Sequence, residues 1–206
     1  MNLETALIAF IAAASLLTIT PGLDTAMVLR TAAVEGPRTA ALAGFGIICG
    51  CLAWGAAVAL GLGVLLAASS FAYLALKWAG AAYLAWLGIR LILKPRSQFD
   101  LGAAASVGRG NWWARGFLNN LLNPKIGVFY VSFLPQFTPA GYPAAPFIFL
   151  LAVIHGVLGA LWFAALIAAT SPLKRWLARQ AVVRWIDRVT GAVFLGFGLR
   201  LALDRR

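Results

Sequence analysis

The chain has 206 residues, of which 62% are hydrophobic and only 11% charged, with a mean hydropathy of +0.88 and a net charge of +11. Soluble domains carry about 25% charged residues, so this composition excludes an ordinary soluble globular domain. The charge does not point to nucleic acid, because the lysines and arginines collect in short segments beside apolar runs.

The first apolar run covers 4–29. It lacks the basic n-region and small-residue cleavage site of a signal peptide, so it reads as retained structure. Thr20-Pro21-Gly22-Leu23-Asp24 interrupts it. Proline removes a helical N–H and glycine loosens the backbone, so Pro21 and Gly22 free peptide groups at membrane depth and mark a break. Helices 2 and 3 follow over 39–66 and 71–93, after a 30–38 connection and a tight turn at Ala68-Ser69-Ser70. Cys49 and Cys51 lie within helix 2 and read as small packing residues, with no metal or redox role.

Gly102–Gly110 is rich in glycine, alanine and serine and reads as a linker. Helix 4, over 114–134, is interrupted by Asn119-Asn120-Leu121-Leu122-Asn123-Pro124-Lys125. Helices 5 and 6 cover 145–170 and 182–203, separated by the basic segment 171–181. Each helix is long enough for a bilayer core of about 30 Å.

The reading is an all-α polytopic membrane protein of six transmembrane helices, built as two inverted three-helix repeats with broken helices 1 and 4. Residues 1–96 form the first repeat, 97–111 a cytoplasmic linker and 112–206 the second repeat, all in one membrane domain. Pro21 answers Pro124, Gly50 answers Gly156, and Gly88–Leu93 answers Gly198–Leu203, at an offset that drifts slowly along the chain. An odd number of helices per half inverts the second copy. Most basic residues fall on one face of the bundle, in the segments around Arg30–Arg38, Arg90–Arg115 and Lys174–Arg188; Lys77, Arg200, Arg205 and Arg206 fall on the other. The positive-inside rule then puts the basic loops in the cytoplasm and both termini outside. Trp112, Trp113, Trp176 and Trp185 sit at span ends, where interfacial anchors belong.

Two readings stand for Asp24: a carboxylate among headgroups, or one facing an internal cavity that binds a substrate ammonium or takes up a proton. Lys125 either snorkels to the interface or points inward to a substrate carboxylate or to Asp24. Together they suit a zwitterion. Asn119 and Asn123, four apart, share a helix side and either line a polar path with Asn120 or bond between helices. His155, the single histidine, is a proton relay or a packing residue. Gly44, Gly46, Gly50, Gly156 and Gly159 permit close helix approach, and such faces suit a homodimer. No Ser-His-Asp set, zinc motif or P-loop marks an enzyme, and no cofactor or metal is implied.

These segments resemble the LysE/RhtB superfamily of amino-acid exporters (lysine exporter and homoserine/threonine efflux type). The resemblance is carried by Thr20-Pro21-Gly22, the Gly46–Gly50 glycines and Lys77–Gly88. It continues through Phe117–Lys125, Phe133-Leu134-Pro135-Gln136-Phe137 and Gly191–Leu203. The chain departs from the family at Leu23, commonly proline, and at Trp54, where many members carry histidine. The resemblance implies export of amino acids or close derivatives, driven by the proton motive force; the two inverted halves point to alternating access, in a bacterial inner membrane. Substrate would contact Asp24, Lys125, Asn123, Asn119, Asn120 and Thr20, with Asp24 or His155 coupling protons. A divalent-cation exporter of a related family is the alternative, followed by an intramembrane enzyme acting on lipid.

Overall fold

The computed structural model describes residues 2–20, 22–68, 70–95, 110–169 and 179–203. Pro21, the linker up to Arg109, the basic stretch 170–178 with Trp176, and Arg205-Arg206 fall outside them. Among the described residues there are helices and no strand.

Helix α1 (Leu3–Ile19) starts on Asn2, whose side-chain oxygen accepts the Thr5 N–H at 2.8 Å. This satisfies one of the donors that a helix start leaves open. The helix stops at Thr20, where the backbone turns extended, and α2 (Leu23–Val34) restarts from Gly22 with no side-chain cap. The two meet at 51°. The expected 4–29 helix is therefore two helices, and the second runs through Arg30 to Val34. Only Glu35-Gly36 separates it from α3, and Gly36 sits at φ 90°, a left-handed conformation that glycine adopts without a Cβ penalty.

Helix α3 (Pro37–Ala68) has 32 residues and is about 48 Å long, enough to exceed the bilayer core. Helix α4 covers Ser70–Leu93. The expected helix over 114–134 is likewise two, α5 (Trp112–Leu121) and α6 (Pro124–Phe133). Pro124 occupies the first turn of α6, where its missing N–H costs nothing, so it starts a helix instead of distorting one. A short 3-10 helix (Leu134–Phe137), α7 (Ala144–Ala168) and α8 (Gln180–Leu203) complete the described chain.

Helix α3 is central and packs on α2, α5 and α7, while α4 pairs with α8. Glycines set the closest approaches. A Cβ on Gly46 would lie 2.0 Å from the Trp113 carbonyl oxygen, and one on Gly116 2.0 Å from that of Ala43. Gly88 and Gly191 likewise abut each other's backbone, and Gly55 faces Ala152. Phe10, Phe129, Phe133, Phe137 and Phe147 are buried between α1, the 3-10 helix, α6 and α7. Phe129 stacks on Phe133 at 4.5 Å and Phe10 meets Phe137 edge-on at 5.4 Å. Such pairs contribute about 0.5–1.5 kcal/mol each beyond their burial. This cluster ties α6 to α1 and so holds the two chain breaks side by side.

Large apolar side chains also cover the outside: Leu60 is 73% exposed and Leu161 65%. Such a surface suits lipid and would aggregate in water. Among the described residues, α3 over Pro37–Gly61 and α7 are long and apolar enough to span a bilayer, and the bent α1–α2 pair is a third if taken as one span. Helices α5 and α6 are ten residues each, about 15 Å, too short to span singly. Helix α8 carries Arg184, Asp187 and Arg188 in its first half, which lowers its hydropathy. Among the described residues the protein is all-helical, with apolar helices that suit a membrane.

Candidate functional site

Asp24 is the second residue of α2, and Lys125 the second residue of α6. Each reaches across to the helix that ends at the opposite break. The Asp24 Oδ1 accepts from Asn119 Nδ2 at 2.7 Å, and Oδ2 from Asn120 Nδ2 at 2.9 Å, both at the end of α5. Lys125 Nζ donates to the carbonyls of Leu17 (3.4 Å) and Thr20 (3.3 Å), at the end of α1. A helix C-terminus presents partial negative charge and open carbonyls, so an ammonium there is well placed. Gly22 lies beside it, where a Cβ would make an ordinary contact with Nζ at 3.4 Å.

All three asparagines gather at Asp24: Asn119 and Asn120 bond its two oxygens, and Asn123 lies beside it while also capping α6, its Oδ1 accepting the Lys125 N–H at 3.1 Å. Helix α5 ends at Leu121, so the four-residue spacing of Asn119 and Asn123 no longer places them on one helical side. Asn120 is fully buried and fits because residue 50 is glycine, where a Cβ would stand 2.7 Å from its Oδ1. The Thr20 hydroxyl bonds the Leu16 carbonyl and pairs with Thr190 of α8, which fixes the end of α1. Among the described residues a side chain seals one break, Asn123 at the start of α6, while the start of α2 has no side-chain cap.

Both breaks open on one cavity of about 40 Å³. Asp24, Lys125, Thr20, Gly22, Asn123 and His155 all line it, together with Thr25, Cys51 and an apolar wall from α3 and α7. By a measure on which one water needs about 10–15 Å³, it holds a few waters. Among the described residues no three His, Cys, Asp or Glu side chains converge as a metal site. The lining offers a single carboxylate with a lysine beside it, a poor match for a divalent cation, which takes six or more oxygens.

A family profile described as LysE type translocator matches residues 15–205. The chain belongs to that family. The threonine efflux protein of Escherichia coli K12 is 26% identical over 193 residues, covering 91% of this chain and 92% of its own. The homoserine/homoserine lactone efflux protein of Salmonella typhi is 30% identical over 198 residues, covering 96% of each. An uncharacterized membrane protein of Bacillus subtilis, YrhP, is 29% identical over 208 residues, covering 96% of this chain and 99% of its own. No solved structure matches the chain.

For this LysE-family chain, sequence reasoning missed two members of the site, Cys51 and Tyr130. His155 is buried and its Nδ1 bonds the hydroxyl of Tyr130 at 2.9 Å. Cys51 lies beside Tyr130, and its sulfur takes a 3.4 Å bond from Asn120 Nδ2. Cys51, read as packing, is thus part of a polar chain running Asp24, Asn120, Cys51, Tyr130, His155. Helical spacing held a signal for Tyr130, since Asn123, Ile126 and Tyr130 fall on one face of the chain after the second break.

Proposed function

We propose that this LysE-family protein exports an amino acid from the cytoplasm, holding the zwitterion between its two chain breaks. The observation that carries the reading is the reciprocal placement of Asp24 and Lys125 on one cavity. In it, the substrate ammonium goes to the Asp24 carboxylate, which offers about four acceptor sites to its three asparagine neighbours. The substrate carboxylate goes to Lys125 and to the N–H groups at the uncapped start of α2. Relatives named for threonine and for homoserine efflux support an amino-acid cargo.

The halves 1–96 and 112–206 act as inverted repeats in this reading, with six spans, basic loops in the cytoplasm and both termini outside. Equivalent residues, the second of α2 and the second of α6, then carry opposite charges, which supports the symmetry. The cavity is smaller than an amino acid needs, so loading requires its walls to separate, first towards the cytoplasm and then outward. Proton uptake at Asp24, or at His155 through Tyr130, favours the return step. One charge moving through about 100 mV supplies about 2.3 kcal/mol. At about 1.4 kcal/mol per decade, that sustains roughly a 40-fold gradient of a neutral zwitterion.

Efflux of radiolabelled threonine from preloaded cells tests this. Cells expressing the protein lose label several-fold faster than controls, and an uncoupler that collapses the proton gradient slows them to the control rate. Efflux that ignores the uncoupler removes proton coupling. Equal efflux with and without the protein, for threonine and homoserine alike, removes the exporter reading.

A further inference from the structure

Resting on the zwitterion reading above, we propose that α7 and the middle of α3 form the compartment for the substrate's side chain, that Gly159 sets its size, and that it admits neutral side chains and rejects a second ammonium. The cavity lining divides by chemistry. Asp24, Lys125, Asn123 and Thr20 stand around the breaks, and the lining from α3 and α7 is mostly apolar, Ile47, Ile48, Gly156, Gly159 and Phe163, with Cys51 and His155 among them. Thr25, buried at 4% exposure, belongs to the polar end as well. Its hydroxyl makes none of the main-chain bonds that occupy those of Thr18 and Thr20. An amino acid carries its ammonium and carboxylate on one carbon, so both charges must lie together at the polar end. The side chain is left with the apolar wall.

Charge then selects. Among the described residues Asp24 is the one carboxylate in the lining, and the α-ammonium takes it. A lysine or arginine substrate would press its second cation against Ile47, Ile48 and Phe163, with the Lys125 ammonium in the same small space. Burying a charge without a partner is strongly unfavourable.

Size is set by Gly159. On α7 it lies four residues from both His155 and Phe163 and three from Gly156, so it is the centre of the stripe that faces the cavity. The sequence suggests helix packing for this glycine, but a Cβ there meets no atom within 4 Å. Gly46, Gly55, Gly116 and Gly191, in contrast, lie against a neighbouring helix at distances no Cβ tolerates. Gly159 is therefore glycine for room, and a larger residue would fit the empty protein while taking space from the substrate.

The test is exchange of labelled alanine, threonine, leucine and lysine by the full-length protein in proteoliposomes, as wild type, Gly159→Ala and Gly159→Val. Wild type exchanges lysine about tenfold more slowly than threonine or worse. Gly159→Val raises the alanine-to-leucine rate ratio about tenfold or more, the range by which methylenes in an apolar pocket discriminate. Gly159→Ala shifts it in the same direction by less, and in both variants alanine is the least impaired of the substrates. An unchanged ratio in Gly159→Val overturns the proposal, as does lysine exchange as fast as threonine. Loss of alanine exchange in both variants overturns it too, because a side-chain wall spares the smallest substrate. A wild type that exchanges none of the four removes the amino-acid reading itself, which the Gly159 results alone leave standing.

Discussion

Replacing Lys125 with alanine lowers amino-acid export by about 30-fold or more while leaving the protein folded in the membrane. The ammonium bridges the start of α6 to the carbonyls of Leu17 and Thr20, and it lines the cavity with Asp24. Truncating one member of a buried charge pair costs about 2–5 kcal/mol, and the lower figure alone is about 30-fold. Folding survives because the two carbonyls border a polar cavity, where water replaces the lost donor. Export is measured as labelled threonine efflux, normalised to protein in the membrane. Asp24→Asn also stops export but is the less clean variant. Its new amide group would face Asn119 and Asn120, which already donate to that position. Full transport in both variants removes the charge pair from the account.

Gly46→Val and Gly116→Val strongly destabilise the fold. At both positions the added Cβ would fall 2.0 Å from a carbonyl oxygen of the facing helix, and a backbone atom cannot rotate away as a side chain can. In an exposed helix the same change would gain a few tenths of a kcal/mol from propensity. Here the steric term dominates, at about 3 kcal/mol or more for overpacking. For a chain of this size that lowers the unfolding midpoint by roughly 6–12 °C. The measurement is thermal unfolding in detergent, with Gly61→Ala as control because a Cβ there meets nothing within 4 Å. A midpoint unchanged in Gly46→Val means that α3 and α5 do not cross at these glycines. The crossing matters to the site because it sets Asn119 and Asn120 opposite Asp24.

The helices were legible because apolar runs of helical length leave few other options in a membrane. The two breaks were legible too, since Thr20-Pro21-Gly22 and Asn123-Pro124 contain residues that cannot continue a helix quietly. What each break does was harder to read. A proline inside a helix frees peptide groups, yet here Asn123 caps the new helix and Pro124 takes a position that suits it. The exchange of partners between Asp24 and the end of α5, and between Lys125 and the end of α1, joins residues about a hundred positions apart, and no local pattern encodes it. Cys51 and Tyr130 escaped for a similar reason. Each looks like an ordinary apolar-helix residue until the packing of α3, α6 and α7 brings them between Asn120 and His155. Gly159 shows the converse: composition alone cannot tell a glycine that lets helices touch from one that keeps a cavity open.

The central claim is that Lys125 binds the substrate's carboxylate and Asp24 its ammonium. Competition against labelled threonine exchange in proteoliposomes tests it most directly, using threonine, threonine amide and N-acetylthreonine as competitors. In wild type, both modified compounds compete about 30-fold worse than threonine or weaker, since each lacks one charge. In Lys125→Ala the disadvantage of the amide disappears, while that of the N-acetyl compound persists. An amide that still competes about 30-fold worse than threonine in Lys125→Ala would show that the carboxylate is bound elsewhere.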